Sequence, residues 1–182
     1  VGTSVDYMWG KSTNQVSVIE TDARIPMKHA LSQFVVRLKV SPEYHNDGNL
    51  TSAKLKATGA KFATTGTMNL NDGGKITFQP TSTELTWSPN TTVPAQGQQA
   101  VDYAAAIYPM TLAAGEVSLE VVIDGATYTY AIPQITWEAG KRYIYSITMR
   151  SNDAEIGGEN GQSVTIEGWT STEEDITLVP VK

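Results

Sequence analysis

The side chains with most chemical potential in this chain are two histidines, His29 and His45, and the acidic and hydroxyl groups scattered around them. Histidine titrates near neutrality and is the commonest general base. His29 stands just before the alternating run that opens at Gln33. His45 lies within Pro42-Glu43-Tyr44-His45-Asn46-Asp47-Gly48. Serine is plentiful, so a Ser-His-Asp set can be assembled on paper. No Gly-x-Ser-x-Gly elbow accompanies it. The residues read instead as a structural histidine at a strand end and a second one in a solvated loop.

The oxygen-rich tracts Asn46-Asp47-Gly48-Asn49, Asn71-Asp72-Gly73 and Ser151-Asn152-Asp153 could offer ligands to Ca²⁺, which takes six to eight oxygens. None has the D-x-[DN]-x-[DN]-G spacing with its distal Glu, and the same residue types are the default at tight turns. Glu173-Glu174-Asp175 are consecutive, so they alternate faces and cannot converge as the carboxylate pair of a glycosidase. No Gly-rich phosphate cradle occurs. The chain is therefore expected to be no enzyme and to hold no cofactor or metal. Among the aromatics, Trp9, Trp87, Trp137 and Trp169 could fill a core or line a sugar platform. Trp137, at a strand edge before the turn Glu138-Ala139-Gly140-Lys141, is the candidate ligand-contact aromatic.

The elements that would position these groups read as strands. Phe34, Val36, Leu38 and Val40 share one face while Arg37 and Lys39 take the other, the period of a half-buried strand. Ala53, Leu55 and Ala57 alternate with Lys54 and Lys56. Strands around 67–70 and 75–79 flank Asn71-Asp72-Gly73-Gly74, and another spans 84–87. The strongest hairpin joins 117–123 to 126–132 through Asp124-Gly125, the signature of a type I′ turn. Tyr143, Tyr145, Ile147 and Met149 alternate against Ile144, Ser146, Thr148 and Arg150. Val164-Thr165-Ile166 and 176–181 close the chain. The one stretch with helical leanings, 22–31, is short and contains Pro26. The expected fold is all-β, a mostly antiparallel β-sandwich forming one domain over residues 1–182.

Composition narrows the partners. Charged residues are only 18% of the chain, against roughly 25% in an average domain, and the net charge is −6. The thirteen basic residues are scattered apart from Lys141-Arg142, so no stripe suits a phosphate backbone and nucleic acid is not an expected partner. With no cysteine, disulfides and thiolate chemistry are excluded. No apolar run approaches the about 20 residues of a membrane span.

Three stretches resemble the fimbrillin family of Bacteroidetes, the subunits of those bacteria's donor-strand pili. Asp6-Tyr7-Met8-Trp9-Gly10 is similar to the segment that opens the family's second domain. Pro26-Met27-Lys28-His29-Ala30-Leu31-Ser32-Gln33-Phe34-Val35-Val36 resembles its His-Ala-Leu-Ser strand entry. Tyr108-Pro109, the Asp124-Gly125 hairpin and Trp137-Glu138-Ala139-Gly140-Lys141-Arg142-Tyr143 resemble its ending, followed by Val164-Thr165-Ile166 and Trp169. The resemblance implies transthyretin-like, Greek-key sandwich domains, lipoprotein export to the outer membrane and cell surface, and assembly with other pilus subunits by strand exchange. It also implies that the chain is the second domain of a two-domain protein or a short member. The aromatic residues leave an alternative, a carbohydrate- or host-ligand-binding surface module with host protein or glycan as partner. The candidate donor or edge strand is the tail, where Ile176 and Leu178 share one face and Val179 and Val181 the other. The tail reads first as a terminal strand of its own sheet, with the donor role as the alternative, and Pro180 fits an edge or a strand end.

Overall fold

A computed structural model of the chain describes residues 5–11, 25–41, 44, 48–88, 91–92, 100–150, 153–156 and 165–168. Among them the strands are β1 (Met8–Gly10), β2 (Met27–His29), β3 (Ser32–Val40), β4 (Asn49–Ala57), β5 (Phe62–Asn69), β6 (Lys75–Ser82), β7 (Glu84–Trp87) and β8 (Thr91–Thr92). They continue as β9 (Val101–Ile107), β10 (Met110–Leu112), β11 (Val117–Ile123), β12 (Ala126–Ala131), β13 (Ile135–Trp137), β14 (Lys141–Arg150), β15 (Asp153–Ile156) and β16 (Thr165–Gly168). The only helical turn among the described residues is the 3₁₀ segment Leu70–Asp72. The expected all-β, mostly antiparallel sandwich is what the chain forms.

Two five-stranded sheets make its layers. One runs β15-β14-β3-β9 with β16 also on β14; the other runs β12-β11-β4-β7 with β8 also on β4. Among the described residues every pairing is antiparallel except β3 with β14, which is parallel from Gln33 opposite Arg142 to Val40 opposite Met149. That pair holds the first long strand against the last, so the intervening chain builds the second layer before returning.

Alternation decides which side chains meet between the layers. Phe34, Val36, Leu38, Tyr143, Tyr145, Ile147 and Met149 come from one sheet, and Ala53, Leu55, Leu85, Leu119, Val121 and Ile123 from the other. Phe34 is the hub, edge-on to Trp87 at 5.9 Å and to Trp137 at 5.7 Å, and stacked on Tyr145 at 4.5 Å. Each such ring pair contributes about 0.5–1.5 kcal/mol beyond burial of area.

The β11–β12 hairpin turns as its residues require. Asp124 (φ 49) and Gly125 (φ 78) both occupy the left-handed region, between Ile123 and its partner Ala126. The β5–β6 hairpin is longer than the sequence pattern suggests, starting at Phe62 rather than near Thr67. Thr64, Thr65, Gly66 and Thr67 are all exposed, so no buried alternation announces them. Pro80 is tolerated in β6 because this hairpin pairs with nothing else among the described residues. The long strand β9 and the short β1, β2, β8, β10, β13 and β15 lie where the sequence pattern places no strand. β9 is Val-Asp-Tyr-Ala-Ala-Ala-Ile, and alanine carries little β signal.

Candidate interaction surface

The residues singled out for chemistry are committed to structure. His29 ends β2, half-buried, with Nδ1 2.8 Å from the Asp6 carboxylate. The Ser32 hydroxyl donates to the Glu138 carbonyl at 2.8 Å. His45 lies outside the described residues, as do Trp169 and the tail residues Ile176, Leu178, Val179 and Val181. Asn71, Asp72 and Gly73 form a turn capped by the Asn69 side chain, which accepts from the Asn71 N–H at 3.0 Å. No group of three His, Cys, Asp or Glu able to hold a metal occurs among the described residues.

Trp137 corrects an expectation. It is 0% exposed, and its indole N–H donates to the Tyr145 hydroxyl at 3.3 Å, so its ring has no open face for a sugar. The motif around it is structural throughout. The Tyr143 hydroxyl accepts from the Glu138 N–H at 2.8 Å and donates to the Thr136 carbonyl at 2.7 Å. The Gly140 N–H binds the Leu31 carbonyl, tying the turn to the start of β3. Burial pushes the Tyr145 hydroxyl far above its ordinary range, only partly offset by the Trp137 N–H, and pushes Tyr143 upward as well. Both phenols therefore keep their protons at neutral pH.

Asp124 does more than turn a hairpin. Its carboxylate accepts from the Tyr44 hydroxyl and from the N–H groups of Gly48 (2.9 Å) and Asn49 (2.8 Å), so it clamps the β3–β4 connection. Burial pushes this carboxyl upward, but the three donors outweigh it and hold it below the ordinary carboxylate range. The sequence pattern carries no sign of this second role, because all three donors are more than 70 positions away.

Two sheet edges stand out among the described residues. Among the described residues β7 pairs only with β4, and β9 only with β3. Phe34 on β3 touches Trp87 on β7, so the two open edges lie on the same flank of the sandwich. Trp87 Nε1 and the Tyr103 hydroxyl, one from each edge strand, are buried without a hydrogen-bond partner. Unpaired backbone along such edges can take up another strand. Elsewhere an apolar recess of about 290 Å³ lies between the lead-in to β1 and the β5–β6 hairpin, lined by Tyr7, Leu31, Thr64, Met68, Ile76 and Phe78 among others.

The two sheets place the chain in the class of all-β sandwich domains, with β7 and β9 each paired to a single strand among the described residues. The chain belongs to the fimbrillin-like family, which it matches over residues 2–169. No curated protein matches it. Among solved structures it is similar to a protein of Bacteroides uniformis provisionally assigned to cell adhesion, with TM-score 0.56 and 16% identity, covering 91% of this chain and 66% of that one. A second, from Bacteroides ovatus and described in the same way, gives TM-score 0.57 and 20% identity over 94% of this chain and 63% of that one. A fimbrial protein of Bacteroides vulgatus gives TM-score 0.50 and 17% identity over 80% and 56%. The chain thus spans two thirds or less of the length of these proteins. At such identities the likeness is one of fold.

Proposed function

We propose that this chain is a structural subunit of a bacterial surface fimbria, joined to neighbouring subunits through strand pairing at its sheet edges. The observation that carries the reading is family membership over residues 2–169. The open flank formed by β7 and β9 supports the strand-pairing part, since an incoming strand would satisfy backbone groups that now face outward. The same reading treats residues 1–182 as one transthyretin-like domain. It makes the protein an exported lipoprotein of the outer membrane and cell surface, with other subunits as partners and no enzymatic activity. Among the described residues no helix is long and apolar enough to cross a membrane.

Residues 176–181 remain the proposed donor strand. Deleting residues 173–182 is expected to leave the domain folded and to abolish assembly. Loss of folding would instead make that segment a strand of the domain's own sheet. Electron microscopy of native surface filaments with an antibody to this chain tests the wider proposal. Regular labelling along the filaments is the expected result, and unlabelled filaments on cells that express the chain contradict it.

A further inference from the structure

The sheet that ends in β7 has a second edge of different character. There β12 (Ala126–Ala131) reads Ala-Thr-Tyr-Thr-Tyr-Ala and, among the described residues, pairs only with β11. Its ladder runs without a bulge from Ser118 opposite Ala131 to Ile123 opposite Ala126. Edge strands are ordinarily guarded by charge, proline or a bulge, and β12 has none of these. Among the described residues, the other edge strands longer than two residues each carry an acid: Glu84 in β7, Asp102 in β9, Asp153 and Glu155 in β15, and Glu167 in β16.

The direction of each backbone group in β12 follows from the end of its ladder. The Ile132 N–H donates to the Val117 carbonyl at 2.9 Å, and bonded and non-bonded pairs alternate along an antiparallel ladder. Tyr128 and Tyr130 therefore turn their N–H and C=O groups to β11. Thr127, Thr129 and Ala131 turn theirs to the open edge. Those three residues are also exposed, while the two tyrosines are half-buried against the core.

A second copy of the same strand matches this pattern. Antiparallel pairing about a two-fold axis at Thr129 sets that residue opposite itself, Tyr128 opposite the copy's Tyr130, and Thr127 opposite the copy's Ala131. Every outward backbone group then has a partner, about six hydrogen bonds in all. Threonine and aromatic pairs are favourable in directly opposed positions, and like charges are not. A two-fold contact brings a patch against itself. In a chain of net charge −6 the acidic edges therefore repel their own copies, and the uncharged β12 does not.

We propose that the chain forms a two-fold dimer in which β12 of each copy pairs with the other, joining two β12-β11-β4-β7 sheets into one. The contact uses neither β7 nor β9 and stands whether or not that flank takes a strand.

Sedimentation equilibrium of the purified chain, with amide hydrogen exchange at low and high concentration, tests the dimer. A monomer–dimer equilibrium is expected, with new protection at the amides of Thr127, Thr129 and Ala131. None is added at Tyr128 and Tyr130, which β11 already bonds. Thr129→Lys and Thr129→Glu each set like charges face to face at the axis and are expected to weaken self-association by about tenfold. Mixed together, the two variants should associate more tightly than either does alone. A chain that stays monomeric up to its solubility limit overturns the proposal. So does a dimer that Thr129→Lys leaves intact, or one whose new protection falls on β7 or β9.

Discussion

The two sheets turn very different outer faces to their surroundings. On the β7-β4-β11 sheet, Glu84, Lys54, Lys56 and Glu120 form a ladder of exposed and half-buried charges, with Glu120 2.8 Å from Lys56 and 3.4 Å from Lys54. Every outward position of β11 is only partly buried. On the β9-β3-β14 sheet, by contrast, the adjacent outward residues Val35 and Ile144 are 0% exposed. Beside them Asp102 binds the Arg37 guanidinium through both oxygens, at 2.7 and 2.9 Å, and also accepts from Arg142. Arg142 lies opposite Gln33 and Asp102 opposite Arg37, so the direct line between them on the sheet passes over Val35. One face is a solvated exterior, and the other carries a second, thinner buried layer.

Matched substitutions test that contrast. Ile144→Ala should cost about 2–4 kcal/mol in unfolding free energy, as at a core site. Val122→Ala, at an outward position of β11, should cost well under half as much. Equal losses in denaturant titrations would erase the distinction between the faces. Asp102→Asn removes the carboxylate that both Arg37 and Arg142 bind and is expected to cost about 2–3 kcal/mol, less than the loss at a fully buried pair. Its m-value should be unchanged.

Asp124→Asn comes next. Asparagine tolerates the left-handed turn but gives up the charge-assisted bonds to Tyr44, Gly48 and Asn49, at about 1–2 kcal/mol. Because the folded carboxyl is held below its ordinary 3.8, its contribution is present above that pH and is lost as the pH falls through the folded value. Wild type should therefore lose stability relative to Asp124→Asn on acidification below about pH 4, and parallel pH curves would refute the clamp. Smallest is Glu120→Gln on the solvated ladder. The hydrogen bond from Lys56 holds Glu120 low, yet exposed pairs contribute little. The Tm should move by less than the ~2–4 °C that 1 kcal/mol produces in a domain of this size.

Much of this was legible in the residues, and the gaps have physical causes. Strict alternation fixed β3, β4, β11, β12 and β14 and the side each presents to the core. Asp124-Gly125 fixed a hairpin register. Alternation was blind to β9, whose alanines say little, and to the exposed half of β5. Val35 and Ile144 interrupt the polar side of two alternating strands at positions that pair with each other. That break was visible, but only the register shows that the two residues coincide. Trp137 could not be assigned to core or surface from its place before a turn. The bond from its indole to Tyr145, eight residues on, decides the matter. The Asp124 clamp depends on contacts between distant segments, which no local pattern encodes.

If subunits meet along the flank formed by β7 and β9, as proposed, assembly must cover the amides of that flank. Amide hydrogen exchange, compared residue by residue between the monomeric chain and assembled filaments, addresses it directly. Outward-facing amides of Glu84–Trp87 and Val101–Ile107 should become strongly protected on assembly, while β11 and β14 change little. Filaments in which those edge amides exchange as fast as in the monomer would contradict the account.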